Sequence, residues 1–531
     1  MSATTIKKAT SMNRLLPIVA TAAALLITAA AQAAAPGITG PTFNLTAAPA
    51  YLSQPDGQAI YSWGYGCSAT AAPGGYAPTA ITATFCNTMQ VPGPTLIVTE
   101  GATVTVNLTN NLPTSAGNTS MLFPGFNVTT GGGVAGLLTQ EAAPGGTVTY
   151  TFTAGSPGTR AYYSGTQGDL QVEMGLYGAV IVLPSAVPAN CNSGLALSNL
   201  TAQATWGESD FRLAHAAYDN ARTCYDREYL FQFSEMDPNI HIQALAQVTA
   251  AGACTAGAAL CSLNVPTEPY HPVYFMINGR SMPDDMDPNY AAQYPHQPYN
   301  GNPHMHPGEL TLLRVIGQGR WQHPFHEHGN HVRILGRDGN LILAPDGTSL
   351  AGPLLFTTTT TPGLAFDGIF YWTGKGLNWD AYGHNPASTN ALAHAKDSCT
   401  PDANGYNTGA PTAINYYEWC QDHNKPVQTA PFGDVTSGGP VTLPDANLFT
   451  NGAWFGGSMY LGPDATVRAT GPTGTTPPSG TIANSPTGEA GFAFMWHSHN
   501  EREITTNNIF PGGMLMMMLV DSREFVIDES Q

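Results

Sequence analysis

Short runs with β-strand periodicity recur along most of this chain, each bounded by Gly, Pro or Asn. Between residues 37 and 188 these runs include PTLIVTEGATVTVNLTNNLP, GGTVTYTFTAGSPGT and GLYGAVIVLP. Alternation of this kind between turn residues is typical of strands in β-sandwiches. No part of this region has a convincing helical period, so the first part of the chain is predicted to be all-β.

The same pattern returns after Cys191, in the runs DREYLFQFSEMD, VYFMINGR, GELTLLRVIGQG, HVRILGRDG, FAFMWHSH and GGMLMMMLVD. A chain of 531 residues is too long for one core. We therefore predict two Greek-key β-sandwich domains, at residues 34–190 and 191–531. The stretch from about 375 to 485 is rich in Gly, Pro, Asn and Thr, which predicts a long loop-rich insertion in the second domain.

Residues 1–33 are predicted to be a secretory signal peptide. Lys7, Lys8 and Arg14 precede the apolar run LLPIVATAAALLITAAA, which ends in the small-residue triplet Ala31-Gln32-Ala33. The alternative is an uncleaved membrane anchor. Cleavage would change the formal net charge from −18 to −21, which argues against a nucleic-acid partner and permits a cationic substrate or a metal ion. We expect a secreted or periplasmic protein with no stable membrane span.

The eight cysteines fall into near-neighbour couples in the mature part of the chain. In an exported protein, four disulfides are the default interpretation, although the connectivity stays open. The couples are Cys67 with Cys86, Cys191 with Cys224, Cys254 with Cys261, and Cys399 with Cys420. No cysteine lies close in sequence to the histidines described next, which argues against a thiolate metal ligand.

Histidines are concentrated in two places, and six of the 15 fall between His304 and His331. Residues i and i+2 of a strand share a face, so each His-x-His pair would present two imidazoles together. The pairs are His326 with His328, and His497 with His499. Four imidazoles suit Cu, Zn, Fe or Ni. Surface or hydrogen-bonded histidines are the alternative, but the presence of two pairs favours a metal site.

These motifs resemble those of the multicopper oxidases. HPFHEHG at 323–329 and WHSH at 496–499, before a Met-rich strand, are similar to that family's HPFHLHG and His-Cys-His patterns. VPGPTLIVTEGATVTVNLTN resembles the family's opening strand pair, and GLYGAVIVLP resembles its first-domain end. The resemblance spans most of the mature chain. It implies cupredoxin-like domains, copper as the cofactor and an oxidoreductase.

The resemblance also implies a role for each histidine. His326 would face the type 2 copper position, His323 the mononuclear type 1 site, and the type 3 pair would be held by His328, His497 and His499. Both motifs lie in the second of two sandwiches, as in two-domain laccases and nitrite reductases. Those families form trimers, so a homotrimer acting on a small molecule or a metal ion is an expectation.

Several positions depart from the family pattern. The first-domain motif T-S-x-H-W-H-G reads TSMLFPG at 119–125, and Tyr-His-Ser-His reads YYSG at 162–165, so four of the family's eight trinuclear ligands are missing. Ser498 replaces the copper-binding cysteine, and Asn500 to Glu503 contain no second type 1 histidine. Without a thiolate, an ordinary blue electron-entry site is excluded.

Further residues near these motifs allow two interpretations each. Replacement ligands in the first domain could come from Tyr163, Gln167, Asp169 or Glu173. Three more histidines could enlarge the predicted metal site or have a structural role: His304, His306 and His331. Three carboxylates could orient imidazoles or act as a general base, or could simply lie at exposed strand ends: Glu327, Glu501 and Glu503. Thioethers that could bind Cu(I) or pack in the core are Met514, Met516 and Met518.

Two functional hypotheses follow. The first is an exported copper oxidoreductase with a reduced, histidine-only site of one or two ions. The second is a non-catalytic cupredoxin that binds or sequesters copper, or has a structural surface role. The chain contains neither a G-x-S-x-G elbow nor a P-loop, which argues against a hydrolase or a nucleotide-dependent enzyme.

Overall fold

The structure is a computed structural model. It describes residues 34–80, 86, 89–258, 261–375, 400–413, 415–421, 457–460, 491–521, 523 and 525–529. The predicted signal peptide and most of the predicted insertion at 375–485 lie outside the described residues.

The first β-sandwich is built from twelve described strands in two main sheets and a small hairpin. Their bounds are β1 Gly37–Thr39, β2 Thr42–Ser53, β3 Ala59–Cys67, β4 Gly75–Ala77, β5 Leu96–Thr99, β6 Thr103–Asn110, β7 Thr129–Gly131, β8 Val134–Ala135, β9 Gln140–Glu141, β10 Thr147–Thr153, β11 Gly158–Tyr163 and β12 Tyr177–Leu183. One sheet has the order β11-β12-β5-β1-β4 and the other β3-β2-β6-β10-β7, while β8 pairs with β9. Sequence neighbours are often not sheet neighbours, so the chain crosses between the sheets.

The core of this sandwich lies between the two sheets, as the alternating pattern predicts. In β6, Val104, Val106 and Leu108 are buried while the intervening polar residues face outward. Trp63 and Tyr150 are also fully buried in the same cluster. Alternation therefore places one face of each strand in the core because successive side chains point to opposite faces.

The second sandwich contains the remaining described strands. Their bounds are β13 Arg227–Met236, β14 Tyr274–Ile277, β15 His304–Met305, β16 Leu310–Gly317, β17 His323–Glu327, β18 Val332–Arg337, β19 Asn340–Leu341, β20 Leu354–Leu355, β21 Thr357–Thr360, β22 Ala365–Tyr371, β23 Gly457–Tyr460, β24 Gly491–Ser498 and β25 Leu515–Asp521. One sheet has the order β14-β13-β16-β22-β18-β19, with β20 on β18, and the other β15-β25-β24-β17-β21, with β23 on β24. The predicted all-β fold of two sandwiches is confirmed, whereas the domain bounds stay a prediction.

The three methionines of the Met-rich segment belong to the second core. Met514, Met516 and Met518 are fully buried beside Trp496 and Phe325. They lie on the inner face of their sheet, where they pack against aromatic rings. Of the two interpretations, core packing is the one that the structure supports.

Among the described residues, three α-helices accompany the strands: α1 Gly168–Gln171, α2 Gly194–Thr205 and α3 Pro238–Ala251. α1 is a single turn in the region where we expected no helix. α3 begins after Asp237, whose carboxylate accepts a hydrogen bond from the Asn239 N–H, with Pro238 at the first helical position. An acidic cap followed by proline is a typical helix start.

Buried polar contacts join the two sandwiches. Thr159 Oγ1 of β11 donates to Asp367 Oδ1 of β22 at 2.5 Å, and the Tyr218 hydroxyl donates to Asp367 Oδ2 at 2.6 Å. Arg314 lies beside the same carboxylate and pairs with Glu228 at 2.8 Å. These charges are compensated within the interface, which fixes how the first domain meets the second.

Three of the predicted disulfides are present: Cys67–Cys86, Cys191–Cys224 and Cys254–Cys261. Cys420 is also disulfide-bonded, and its predicted partner, Cys399, lies outside the described residues. Within the described part of the chain, no helix has the length and apolarity that a membrane crossing requires.

Candidate metal centre

Strand register brings the two His-x-His motifs together. β17 and β24 are antiparallel neighbours, and His326 lies directly opposite His497. His328 follows His326 by two residues, and His499 follows His497 by two, so all four imidazoles project on the same side of the sheet. On the opposite side, Phe325 and Trp496 pack in the core.

The four rings form one cluster. The ring centroid of His326 lies 4.6 Å from that of His328, 4.9 Å from that of His499 and 5.6 Å from that of His497. The His328 and His497 rings are 5.2 Å apart, and their Nε2 atoms approach to 3.1 Å. The predicted grouping of His326, His328, His497 and His499 therefore exists in the fold.

Hydrogen bonds orient two of the imidazoles. His497 Nδ1 donates to the Ser498 carbonyl at 2.7 Å, so its Nε2 is directed at His328. His326 Nδ1 is bonded to Thr357 Oγ1 at 2.7 Å, across the β17 and β21 pair. Such partners fix ring orientation in metal sites, where the second nitrogen is the ligand. Thr357 was not anticipated, because its role depends on β21 being the neighbour of β17.

Electrostatics favour the neutral form of two of these imidazoles, those of His326 and His497. Burial, together with the neighbouring rings of His328, His499 and His497, lowers the pKa of His326 to about 4. Burial also lowers the pKa of His497. Neutral imidazoles have lone pairs for a metal ion.

The spacing of two of these nitrogens, His328 Nε2 and His497 Nε2, suits a shared copper ion. Two imidazole nitrogens bound to one first-row metal at about 2.0–2.1 Å each lie roughly 3 Å apart, and the His328 and His497 Nε2 atoms are 3.1 Å apart. An all-imidazole donor set without thiolate matches a type 2 or type 3 copper environment rather than a blue one.

One side of the cluster is accessible. His326 and His497 are buried, His328 is half-buried and His499 is exposed. Phe356 lies at the rim, with its ring centroid 5.7 Å from His326 and 5.1 Å from His331. His331 therefore adjoins the cluster through Phe356.

His323 occupies a different environment from the other four. Its Nδ1 lies 2.8 Å from Glu503 Oε2 and its Nε2 lies 2.9 Å from Glu235 Oε2, and the ring is fully buried. Because both nitrogens hydrogen-bond to carboxylates, neither faces an open position for copper in this structure. These contacts argue against the type 1 role that the resemblance implies for His323, and that role stays a prediction.

Ser498 is part of the same arrangement. Its hydroxyl donates to Glu503 Oε2, the oxygen that also accepts from His323. Asn500 Nδ2 donates to Glu503 Oε1 at 2.8 Å. The residues at the expected mononuclear position thus form a hydrogen-bonded polar cluster. Because this cluster contains no thiolate, it does not fit a blue copper ion.

In the first domain, apolar side chains fill the space where histidines are missing. The TSMLFPG and YYSG segments are adjacent, with the Leu122 N–H donating to the Tyr163 carbonyl at 2.7 Å. Met121 and Phe123 are buried in the core. A Cβ on Gly165 would lie 2.8–3.0 Å from the Leu122 side chain. Leu122 therefore occupies the place of a side chain at position 165.

Two of the four possible replacement ligands, Glu173 and Asp169, have hydrogen-bond partners elsewhere. Glu173 accepts hydrogen bonds from the Tyr270 hydroxyl at 2.7 Å and from the Asp237 N–H at 2.6 Å. Asp169 accepts from Thr267 at 2.7 Å, and Gln167 precedes α1. The structure provides no support for a substitute first-domain ligand set among these residues.

His304 and His306 belong to a separate buried ionic network. His304 Nδ1 pairs with Asp521 at 2.6 Å, and His306 Nε2 pairs with Glu208 at 2.6 Å. β15 lies opposite Leu519 and Val520, whereas His497 lies opposite Leu515, so these histidines are at the other end of β25. They do not enlarge the four-histidine cluster.

Within this network, the donor atoms of Glu208, His306 and Glu309 lie within 4.8 Å of one another. Arg227 contacts both glutamates, and Arg523 lies 3.6 Å from Glu309. The guanidinium groups already balance these carboxylates, so the arrangement is a saturated ion-pair network.

The other two glutamates lie in different environments, and the charge of Glu501 acts on His497, where it opposes the larger lowering of the pKa by burial. Glu327 points to the core face, where its Oε1 accepts from Thr358 at 2.8 Å and burial raises its pKa to about 8. Glu501 is exposed in a 3₁₀ turn, Glu501–Ile504. A role for either as a general base has no geometric support.

Comparison with known proteins supports the family resemblance in the first domain. Residues 73–187 match the multicopper oxidase family model. An L-ascorbate oxidase from Brassica rapa subsp. pekinensis is 37% identical over 99 residues, which are 18% of this chain and 16% of the relative. The laccase abr2 from Aspergillus fumigatus is 36% identical over 98 residues, with the same coverage. The matches thus span about one sixth of the length of these relatives.

Among solved structures, the blue copper oxidase from Nitrosomonas europaea aligns with 90% of this chain and 85% of its own, at 14% identity and a TM-score of 0.42. The predicted resemblance to the multicopper oxidases is confirmed by the sequence matches in the first domain.

Proposed function

Starting from a chain whose residues 73–187 match the multicopper oxidases, we propose an exported copper-binding oxidoreductase with a histidine-only centre. The centre consists of His326, His328, His497 and His499. The observation that carries this proposal is the 3.1 Å approach of the His328 and His497 Nε2 atoms within one cluster of four imidazoles.

Copper bound there would supply a one-electron redox couple. The chain's own residues determine how it is held and reached. Thr357 and the Ser498 carbonyl orient His326 and His497, and Phe356 shields one side of the His326 ring. Because His499 is exposed, a small molecule or a reduced metal ion can reach the cluster from that side.

The chain's departures from the family limit the chemistry. Ser498 and the engaged His323 leave no thiolate electron-entry site, and Leu122 fills the first-domain position. An ordinary laccase cycle requires both of these sites, so we propose one or two copper ions and direct contact between substrate and centre.

The disulfides support the proposed export. Three disulfides and the bonded Cys420 are typical of an oxidising compartment, which agrees with secretion or a periplasmic location after cleavage near residue 33. A homotrimer stays a prediction, which light scattering of the mature protein would test.

The decisive experiment measures metal content and electron paramagnetic resonance of the mature protein, exported in copper-supplemented medium. A His326→Ala/His499→Ala variant removes two cluster rings, and His331→Ala is the matched control outside the cluster. We expect stoichiometric copper in wild type and control, with a type 2 signal, and loss of both in the double variant. Absence of copper, or equal copper in the double variant, would refute the centre.

The second candidate function is a non-catalytic copper binder. It is favoured by the loss of the electron-entry and first-domain ligands. Oxidation of phenols or of a reduced metal ion that disappears in His497→Ala would support the enzyme. Copper binding without turnover on a broad substrate panel would support the binder.

A further inference from the structure

We propose that Glu235, His323 and Glu503 form a metal-free ion triad, in which a protonated imidazole between two carboxylates replaces the mononuclear copper site that the motif resemblance implies. This inference depends on contacts of the triad alone and does not require copper at the four-histidine centre.

Hydrogen-bond geometry sets the protonation state of the ring. The two ring nitrogens face Glu503 Oε2 at 2.8 Å and Glu235 Oε2 at 2.9 Å. An ionised carboxylate only accepts hydrogen bonds, so both ring nitrogens must donate. The ring is then an imidazolium, unless one of the carboxyl groups holds the proton.

Both carboxyl groups are surrounded by donors, which favours their ionised form. Glu235 Oε1 accepts from the backbone N–H groups of Arg320 at 2.5 Å and Trp321 at 2.9 Å. Glu503 accepts from the Ser498 hydroxyl and from the Asn500 amide at 2.8 Å. Because these donors stabilise carboxylates, the proton is held by His323.

The charges around the triad agree with this assignment. Burial lowers the pKa of His323, but its hydrogen bonds to Glu235 and Glu503 outweigh that effect and raise the pKa to about 9. The other titratable groups that face the triad lie beyond Glu235. They are Tyr270, whose hydroxyl is 3.2 Å from Glu235, and then Glu173, His241 and Arg320.

The triad joins the strands that carry the candidate ligands. His323 lies three residues before His326 on β17, and Ser498 lies between His497 and His499 at the end of β24. Glu503 bonds to both His323 and Ser498. We infer that the triad holds the two strand ends in register, as a bound ion would, and that His323 is a positioning residue for the cluster.

The space around the triad is closed. A Cβ on Gly319 would overlap Glu235 Oε2, so the Gly319 turn packs directly on this carboxylate. A copper ion here would have to displace the His323 proton and would meet a hydroxyl in place of a thiolate. We therefore expect that Ser498→Cys alone does not produce a blue protein.

The test is nitrogen-15 magnetic resonance of the histidine rings, in copper-free protein at about pH 8, where ordinary imidazoles are neutral. His323→Gln assigns the resonance, and Glu503→Gln serves where that variant fails to fold. His331→Gln is the matched control. His306 also has both nitrogens against acceptors, Glu208 and the Asp521 carbonyl, so the His323 ring is identified as the doubly protonated resonance that disappears in His323→Gln. We expect that resonance in wild type and His331→Gln, and we expect it to titrate at lower pH in Glu503→Gln.

The same spectrum is then recorded with copper added. A His323 imidazolium that survives copper loading supports the triad, whether or not the four-histidine centre fills. The proposal is overturned if the His323 ring is not protonated on both nitrogens at about pH 8 in the copper-free protein, or if copper removes that proton. A loss of one bound copper per chain in His323→Gln would also overturn it, because that would make His323 a ligand.

Discussion

The His323 triad makes a quantitative prediction about stability and pH. A histidine pKa raised from 6.5 to about 9 in the folded state corresponds to about 3 kcal/mol of stabilisation. This contribution is fully present below pH 6.5 and is lost as the pH rises through about 9, because the imidazolium then deprotonates. His323 is fully buried, so solvent screening does not reduce the figure.

The matched perturbation is the double variant Glu235→Gln/His323→Gln. It removes one positive and one negative charge, so the net charge of the site is unchanged. The amide carbonyl introduced at position 235 can still accept from the backbone N–H groups of Arg320 and Trp321. This variant lacks the titrating imidazole. Its packing energy differs from that of wild type by an amount that does not depend on pH, so the change of the Tm difference with pH reports the His323 titration alone.

Calorimetry of copper-free protein between pH 6 and 10 measures the effect on the second domain. At roughly 2 °C per kcal/mol for a large domain, we expect the Tm difference between wild type and double variant to shrink by about 6 °C over this range. A difference that stays constant, or that grows toward pH 10, would refute the assignment of the proton to His323.

Three further predictions concern stability. Gly165→Ala should destabilise the first domain by about 1–2 kcal/mol, because the new Cβ meets the Leu122 side chain. Adding Leu122→Ala should remove most of that penalty, which a double-mutant cycle measures. Asp367→Asn should cost about 3–5 kcal/mol by leaving the buried Arg314 undercompensated, measured as a lower Tm; an unchanged Tm would contradict the interface. Replacing Cys67 and Cys86 by serine should cost about 3 kcal/mol for a loop with a sequence separation of 19, checked by non-reducing denaturation against wild type.

Local sequence pattern predicted the fold class correctly because the two sandwiches obey a simple periodicity. In β6, every second residue is buried, and the same alternation placed His326 and His328 on one face. The three fully described disulfides also follow from proximity in sequence, because short loops are easily closed.

The role of Glu235 could not be found in this way. It lies in β13, a strand that is buried along its whole length, and a charged residue in such a strand is a weak sign that a buried partner exists. That partner, His323, is 88 positions away, and Glu503 is 180 positions from His323. No local rule predicts contacts at such separations.

The sequence by itself determined the strands, the two His-x-His pairs and the missing thiolate, because residue type and a period of two are local properties. Only the tertiary structure decided that β17 pairs with β24, with His326 opposite His497. It also decided that His323 hydrogen-bonds to two carboxylates. The physical reason is that hydrogen bonds and desolvation act between side chains that folding brings together. A histidine becomes a neutral imidazole or a buried imidazolium according to its neighbours in space.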